Sequence, residues 1–332
     1  MAANRMIDGS VQGAQHRLRA TAQDRAGWWM TLLFCSIALA ARAQPDTLFK
    51  HIQLDEVVIS ARSQGFSVAD FVRQVRTDTT FHKAFLNTRY HPHRMHSAVR
   101  VRNKGEKETA TMQRSGRLVR EGERARLELD SVQETGRLRD RKGGFRFLTV
   151  EMYDDVFFPK GTFTANNTVA SRKLELDRGS RFDKYKSELK KFMFDPGTEI
   201  ATVPFIGDKL ALFSPEMEPL YDFRIWSDTR EGRDCWVFSA EAKPEFRDGR
   251  TVIKTMDTWF DQVSGDVLAR NYRIASSSVV LDFDITIRVQ NTMVNGALVP
   301  VRVDYDGDWD IPFKSRELVR FYLAYSDWEV MP

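Results

Sequence analysis

The chain has 332 residues, of which 42% are hydrophobic and 11% aromatic, and it contains only two cysteines. This composition excludes a disordered chain, a collagen-like chain and a small disulfide-stapled domain. The formal net charge is +4, but the first 43 residues contain five arginines and two acidic residues, which leaves the rest with a charge of only +1. A nearly neutral surface of mixed sign argues against a nucleic-acid partner.

The N-terminal segment has the pattern of an export signal. Residues 27–41 are uncharged and largely apolar, three arginines lie between residues 17 and 26, and a small-x-small sequence ends at Ala43. This arrangement is typical of a cleavable signal peptide, and the apolar run is shorter than the roughly 18 residues that span a membrane. We therefore predict a signal peptide over 1–43 and a periplasmic location, with association to the outer membrane left open.

Cleavage after Ala43 would leave Cys235 as the remaining cysteine. A single thiol excludes an internal disulfide in the exported chain. Because Cys235 lies in a β-rich run, we predict that it is a small buried hydrophobic residue.

Residues 44–90 are predicted to form an N-terminal strand and helix segment. The run from Leu54 to Ser60 contains several β-branched residues and predicts a short strand. Ser67-Val68-Ala69-Asp70 has the S-x-x-D form of a capping box, with apolar residues at helical spacing after it. A helix is therefore predicted over 68–76.

The remainder, 91–332, is predicted to be an antiparallel β domain. Partly alternating runs at 98–102, 124–129 and 145–150, separated by glycine-bearing turns, predict strands. Residues 183–194 place apolar side chains near one face and four lysines elsewhere. That pattern predicts an amphipathic helix inserted into the domain.

From residue 220 onward the chain has the pattern of a regular meander. Predicted strands follow one another at 221–226, 234–240, 252–261, 267–274, 279–290, 298–305 and 316–328. Asn295-Gly296 between two alternating runs is a strong hairpin signal, because both central positions of such a turn adopt positive φ. The predicted fold class is mainly β (α+β): a curved antiparallel sheet or unclosed β-barrel with one or two covering helices.

The export signal, the early helix, the long meander with a helix in its middle and the hairpin at 258–268 together resemble LolA/LolB-like outer-membrane lipoprotein carriers. In that family a tryptophan-containing hairpin with a Ser/Thr-Gly turn recurs, and helices cover the concave face of an unclosed β-barrel. Residues 54–59 and 215–226 are similar to uncharacterised outer-membrane-associated proteins that carry a carboxypeptidase-regulatory-like segment. The first resemblance implies a carrier fold, and the second implies an envelope location.

A histidine cluster begins at His91. In an extended strand His91 and His93 would share a face, as two imidazole ligands of zinc or copper require, whereas His96 would point the other way. The alternative is a polar turn that leads into a strand starting at Ser97. No nearby cysteine or carboxylate completes a site, so we predict no bound metal.

A second polar cluster alternates four aspartates around Gly307 and resembles the start of a calcium loop. The EF-hand pattern places a bidentate glutamate at its twelfth position, and counting from Asp304 that position is Ser315. The alternative is a charged hairpin tip neutralised by basic neighbours. The aspartates are Asp304, Asp306, Asp308 and Asp310, and the candidate neighbours are Arg302, Lys314 and Arg316.

Sequence motifs of nucleophilic and metal-dependent catalysis are absent. The chain contains no G-x-S-x-G, no H-E-x-x-H, no C-x-x-C and no G-x-x-x-x-G-K-[ST]. We therefore predict a protein that is not an enzyme and that needs no cofactor.

Aromatic residues on successive predicted strands indicate a binding surface. They are Trp226, Trp236, Phe238, Trp259, Tyr272 and Phe283. In a curled sheet the members of one face would line a concave apolar floor, where burial against an acyl chain yields about 25 cal/mol per Å². We predict a module that binds a lipid, an acylated envelope protein or an apolar segment of one. Alternatively, the same rings are ordinary core beneath the helix at 183–194.

The alternative function is that of a structural or assembly partner of an outer-membrane protein. Exposed sheet edges, or the predicted strand around Val57-Val58-Ile59, would pair with a strand of the partner. Either function needs an apolar or extended surface and neither needs nucleic acid.

Overall fold

In the computed structural model, contacts divide the chain into Met1–Thr47 and Leu48–Pro332. The structure describes residues 52–169, 197, 207–277, 282–310 and 316–331. The predicted signal peptide (1–43) and the predicted amphipathic helix (183–194) lie outside the described residues. The boundary between 44–90 and 91–332 stays a prediction.

One sheet of twelve strands dominates the described residues, in the order β1-β6-β7-β8-β9-β10-β11-β12-β2-β3-β4-β5. Strand β1 pairs with β6 in parallel, and every other neighbouring pair is antiparallel. The strands are β1 (Ile52–Leu54), β2 (His93–Arg102), β3 (Glu108–Glu121), β4 (Arg124–Gly136), β5 (Thr162–Thr164), β6 (Tyr221–Arg230), β7 (Arg233–Ala242), β8 (Ile253–Asp261), β9 (Val267–Ser276), β10 (Asp282–Val294), β11 (Ala297–Asp310) and β12 (Glu317–Ser326). Strands β1 and β5 are its two ends and do not pair with each other among the described residues, so the predicted unclosed sheet is confirmed.

Four α-helices accompany this sheet in the described part of the chain: α1 (Glu56–Ser63), α2 (Val68–Thr77), α3 (Thr80–Asn87) and α4 (Leu148–Phe157). The side chain of Ser67 accepts a hydrogen bond from the backbone N–H of Asp70 at 3.2 Å, so the predicted capping box does begin a helix. Within the described ranges, no helix has both the length and the apolar character needed to cross a membrane.

Alternating side chains of the strands point to one face, which packs against the helices and is called the inner face. On β10 every second residue from Phe283 to Val289 is buried, while the residues between them are partly or fully exposed. Phe71, Val72 and Val75 of α2 belong to the same hydrophobic cluster as these strand residues. The core therefore lies between the inner face and the helices.

The predicted C-terminal meander is confirmed by strands β6 to β12. The turn between β10 and β11 has φ values of 47° at Asn295 and 82° at Gly296, as the hairpin signal requires. Strand β10 begins at Asp282, and residues 279–281 of its predicted range lie outside the described part.

The predicted strand at 54–60 is wrong. Strand β1 ends at Leu54, and α1 begins two residues later. The Asp55 side chain accepts a hydrogen bond from the Val58 N–H at 2.7 Å, and Glu56 lies in the first turn, where a negative charge favours a helix. This local cap overrides the β propensity of the valines.

The predicted strand at 145–150 is also wrong, because α4 begins at Leu148. The Glu317 carboxylate accepts hydrogen bonds from the Leu148 N–H at 2.8 Å and from the Thr149 N–H at 3.0 Å. This cap comes from β12, about 170 positions along the chain. A contact so remote in sequence leaves no local signal.

The aspartate-rich stretch at 304–310 lies inside β11 and not at a hairpin tip. Its period of two places the aspartates outward and Tyr305, Gly307 and Trp309 inward. A side chain at Gly307 would collide with the Tyr305 ring, whose hydroxyl accepts a hydrogen bond from Trp309 Nε1 at 2.6 Å. Three outward carboxylates contact arginines: Asp304 with Arg302, Asp306 with Arg320 and Asp308 with Arg316.

Candidate functional site

Four of the six predicted ligand-binding residues share the inner face. Phe238 and Tyr272 are fully buried there, and Phe283 is nearly so. Trp236 packs against the same cluster and keeps part of its surface exposed. Trp236 is therefore the inner-face ring among them that solvent can reach.

The remaining two residues, Trp226 and Trp259, lie on the opposite face of the sheet. Both pair with Val237 in the β6-β7-β8 register. Val237 precedes Phe238 on β7, and successive strand residues point to opposite faces. The six predicted residues thus divide between two surfaces.

Trp259 has polar contacts of its own on that opposite face. Its Nε1 donates a hydrogen bond to Asp228 at 2.7 Å, and the Arg230 guanidinium carbon lies 4.0 Å from its ring centroid. The bond from Trp259 lowers the pKa of the Asp228 carboxyl. These contacts hold the indole in place beside charged neighbours.

On the inner face, the helices and the segments between them supply rings that meet the predicted ones. Phe66 lies 4.7 Å from Trp236 between ring centroids, and Phe71 of α2 meets Phe260 edge-on at 5.3 Å. Burial also raises the pKa of the Tyr272 hydroxyl well above its usual range, so this face carries a neutral phenol. The apolar floor is covered by the chain's own side chains.

A buried arginine on β9 connects this floor to α3. Arg270 donates to the Thr258 hydroxyl at 3.1 Å, lies 3.7 Å from the Asp78 carboxylate and stacks over the Phe81 ring at 4.3 Å. Asp78 also accepts hydrogen bonds from the Thr80 and Phe81 N–H groups. One carboxylate therefore caps α3 and holds it to the sheet.

A second buried arginine connects β3 to α4. The Arg114 Nη1 atom lies 2.5 Å from Asp154 Oδ1, and both side chains are less than a tenth exposed. The guanidinium carbon is 3.3 Å from the Phe158 ring centroid, and the Lys160 ammonium lies 3.4 Å from the second Asp154 oxygen. Burial raises the pKa of the neighbouring Tyr153 hydroxyl.

Neither arginine was among the residues predicted from the sequence, although the sequence contains a signal for both. Arg270 stands two residues before the inward Tyr272, and Arg114 stands two residues after the inward Met112. A charged residue at the inward position of an alternating strand must be paired when it is buried. The inward position of each arginine on its strand, combined with a search for aspartates that could pair with it, identifies both arginines.

Strand β2 begins at His93 and not at Ser97, and His91 lies in a bend two residues before it. His93 Nδ1 lies 2.8 Å from the His91 carbonyl, and its ring stacks on Trp328 at 4.2 Å. Burial lowers the pKa of His93 to about 4. Among the described residues no group of three or more potential ligands is placed to hold a metal ion.

No family model and no curated protein matches this chain. Among solved structures it is similar to a domain from Vibrio parahaemolyticus described as an outer membrane lipoprotein-sorting protein, with 9% identity, 75% of this chain and 91% of that chain covered, and a TM-score of 0.26. A DUF1329 family protein from Desulfovibrio piger gives 8% identity, 75% and 91% coverage and a TM-score of 0.21. Lipovitellin gives 8% identity, with 73% of this chain and 26% of that chain covered, and a TM-score of 0.23.

The fold implied by the resemblance to LolA/LolB-like carriers is present in this chain. Its sheet is unclosed, and helices pack on one face of it. The function is a separate question, which depends on the contacts of the inner face.

Proposed function

We propose that this chain is an exported envelope protein that holds an acyl chain against the inner face of its sheet, without catalysis. The observation that carries the proposal is an aromatic inner face whose rings are covered by side chains of short helices and loop segments, as Phe66 covers Trp236 and Phe213 covers Phe238. The helices α2 (Val68–Thr77) and α3 (Thr80–Asn87), together called the α2–α3 cover, would move aside when the ligand binds.

The proposed exchange conserves buried apolar surface. Leaving the floor uncovered would expose rings such as Phe260, which Phe71 now covers. An acyl chain replaces those contacts at about 0.8 kcal/mol per buried methylene, so about ten methylenes supply about 8 kcal/mol. That gain corresponds to a Kd near 1 μM, before the cost of moving the helices. The cost is kept low because the ligand covers the surface that the helices leave.

Trp236 indicates where the acyl chain would enter the inner face. It is partly exposed and contacts Phe66, which lies in the segment just before α2. An acyl chain that displaces Phe66 would meet Trp236 first and then the fully buried Phe238. The four inner-face residues are the proposed ligand contacts: Trp236, Phe238, Tyr272 and Phe283.

Displacement of the fluorescent fatty acid cis-parinaric acid tests this proposal. Trp236→Ala removes about 60 Å² of ring contact, so its Kd should rise about tenfold. Trp226→Ala is the matched control, because it removes a partly buried indole from the opposite face. Equal affinities of the two variants, with both folded by circular dichroism, would show that the inner face does not bind the acyl chain.

A second candidate function, strand addition to a partner, is supported by the edge at β4. Strand β5 pairs only with residues 124–126 of β4, and Leu129 and Val132 are each about half exposed farther along. The predicted site at Val57-Val58-Ile59 does not serve, because α1 contains it. Leu129→Lys with Val132→Lys should abolish cross-linking to an outer-membrane partner and leave cis-parinaric acid binding unchanged.

A further inference from the structure

A separate cleft lies between α3, the β10–β11 turn and the segment that contains Asn167, Thr168 and Val169. Its volume is about 500 Å³, within the range of about 300–1,000 Å³ that is usual for ligand sites. None of the six aromatic residues predicted from the sequence lines this cleft. Its walls include Lys83 and Asn87 of α3, His91, and the apolar side chains of Met293 and Leu298.

The cleft contains a cation without a carboxylate partner among the described residues. Lys83 is partly buried, and its Nζ donates one hydrogen bond, to the Asn167 carbonyl at 2.5 Å. An ammonium group has three protons, so two remain for a ligand. Burial lowers the pKa of Lys83 and the nearby Tyr90 raises it. Asp266 also lines the cleft, and after Asp261 its charge helps to raise the pKa of Arg233.

His91 supplies a second donor. The Met331 N–H donates to His91 Nδ1 at 3.0 Å, which places the proton of the neutral imidazole on Nε2. Burial lowers the pKa of His91, and the charges of Arg120 and Lys83 lower it further. The imidazole is therefore neutral near pH 7 and can donate to an acceptor.

Asn87 fixes the shape of the site. Its Nδ2 donates to the Leu298 carbonyl at 2.7 Å, and its Oδ1 accepts from Asn167 Nδ2 at 2.8 Å. These bonds hold α3 and the Asn167 segment against β11. These hydrogen bonds therefore fix the part of the cleft that carries the Lys83 ammonium and the His91 ring.

We propose that this cleft binds an anionic group, a carboxylate or a phosphate, of a ligand whose apolar part lies on Met293 and Leu298. A partly buried cation and a neutral N–H donor complement an anion, and neither offers an acceptor to a cationic ligand. The apolar side chains that also line the cleft complement an alkyl portion. The site lies outside the inner face, and it is complete while the α2–α3 cover lies on the sheet, because Lys83 and Asn87 belong to α3.

Isothermal titration calorimetry of the full exported chain with decyl phosphate, decanoate, decanol and inorganic phosphate tests the proposal. Decyl phosphate and decanoate should bind, and Lys83→Met should weaken both about tenfold or more, because a partly buried charge-assisted contact is lost. Decanol should bind more weakly than either anion and should be insensitive to this variant. The matched control is Lys104→Met, which removes an exposed lysine in the β2–β3 turn.

His91→Phe gives a second, independent variant, and it should weaken the two amphiphilic anions by a smaller factor than Lys83→Met. If inorganic phosphate competes with decyl phosphate, a free anion is the natural ligand; if it does not, the anion is the headgroup of an amphiphile. Equal affinity of Lys83→Met and Lys104→Met, equal binding of decanol and decanoate, or no binding of any anion would each overturn the proposal. The acyl-binding proposal for the inner face is tested by Trp236→Ala, whereas Lys83→Met and His91→Phe test the anion site in the cleft.

Discussion

The two helical parts that cover the inner face are attached to the sheet differently. Helix α4 is held by a short buried ion pair, with 2.5 Å between Arg114 and Asp154, and by the Tyr153 ring at 4.2 Å from Phe321. The α2–α3 cover is held by a longer pair, with 3.7 Å between Arg270 and Asp78, and by hydrogen bonds from Asn87 to the Leu298 carbonyl and from the Val267 N–H to the Thr80 hydroxyl. Its ring contact is also longer, 5.3 Å between Phe71 and Phe260.

The caps of the helices show the same difference between α4 and the α2–α3 cover. The Glu317 carboxylate on β12 caps α4, so that helix starts on the sheet itself. The α2–α3 cover carries its own caps, Ser67 for α2 and Asp78 for α3, and keeps them when it separates from the sheet. A helix with local caps loses less on leaving than one whose cap stays behind. The proposed ligand exchange therefore belongs to the α2–α3 cover.

The largest expected effect is on the α4 side. Asp154→Ala leaves Arg114 buried without its carboxylate and should lower the free energy of unfolding by about 3–5 kcal/mol, measured by urea denaturation. Asp155→Ala, at the exposed neighbouring position of α4, should change it by about 0.5 kcal/mol or less. Similar losses in the two variants would contradict a structural role for the Arg114–Asp154 pair.

The second-largest expected effect is a pH dependence of the free energy of unfolding, which arises from His93 on the same side of the sheet as α4. The pKa of His93 is about 4 when folded, against about 6.5 for an unfolded histidine, so the unfolded chain binds a proton that the native protein excludes. The contribution of His93 to the free energy of unfolding is fully present above about pH 6.5 and falls by about 3 kcal/mol as the pH drops to about 4. Denaturation at several pH values should show that His93→Gln loses this component.

The control for that experiment is His96→Gln, an exposed position on the same strand. It should keep the wild-type slope between about pH 6.5 and pH 4. A slope in His93→Gln as steep as in the wild type would mean that His93 is protonated in the folded protein.

A smaller loss of stability is expected from a change in the α2–α3 cover, which is proposed to move. Asp78→Asn keeps an acceptor for the α3 cap and removes the charge that faces Arg270. Because the pair is longer than the one at α4, the variant should lose about 1–3 kcal/mol of stability. Stopped-flow fluorescence should show faster uptake of cis-parinaric acid, whereas slower or unchanged uptake would argue against movement of the α2–α3 cover.

The smallest effect is expected on the outer face. Arg320→Ala breaks an ion pair with Asp306 in which both side chains are about half exposed. Such pairs contribute about 0–1 kcal/mol, and screening by salt reduces that further. A thermal melt that shifts as much as in Asp154→Ala would show that the outer arginine–aspartate row, and not the inner pairs, stabilises the sheet.

The sequence predicted the C-terminal meander well because its signals are local. Alternation from Phe283 to Val289 identifies a buried face, and Asn295-Gly296 identifies the turn without reference to the rest of the chain. The start of α4 was not predictable in this way, since its cap is Glu317 on a distant strand. The helix after Asp55 had a local signal, which the β-branched residues obscured.

The candidate site was only half predictable, for a related reason. The parity of Trp236 and Phe238 on β7 places them on one face directly. Placing Trp259 requires the register of β7 with β8, and the irregularity between Trp259 and Phe260 changes the pattern along β8 and β9. The cleft at Lys83 had no sequence signal, because α3, β11 and the Asn167 segment meet only in the folded chain.

Photo-cross-linking with a diazirine-bearing fatty acid, mapped by mass spectrometry, tests the central claim most directly. We expect labels on the inner-face peptides of β7 and β9, together with faster hydrogen exchange in residues 68–87 and unchanged exchange in α4 while the ligand is bound. Labels confined to the opposite face around Trp226, or equal changes in α4 and the α2–α3 cover, would contradict it.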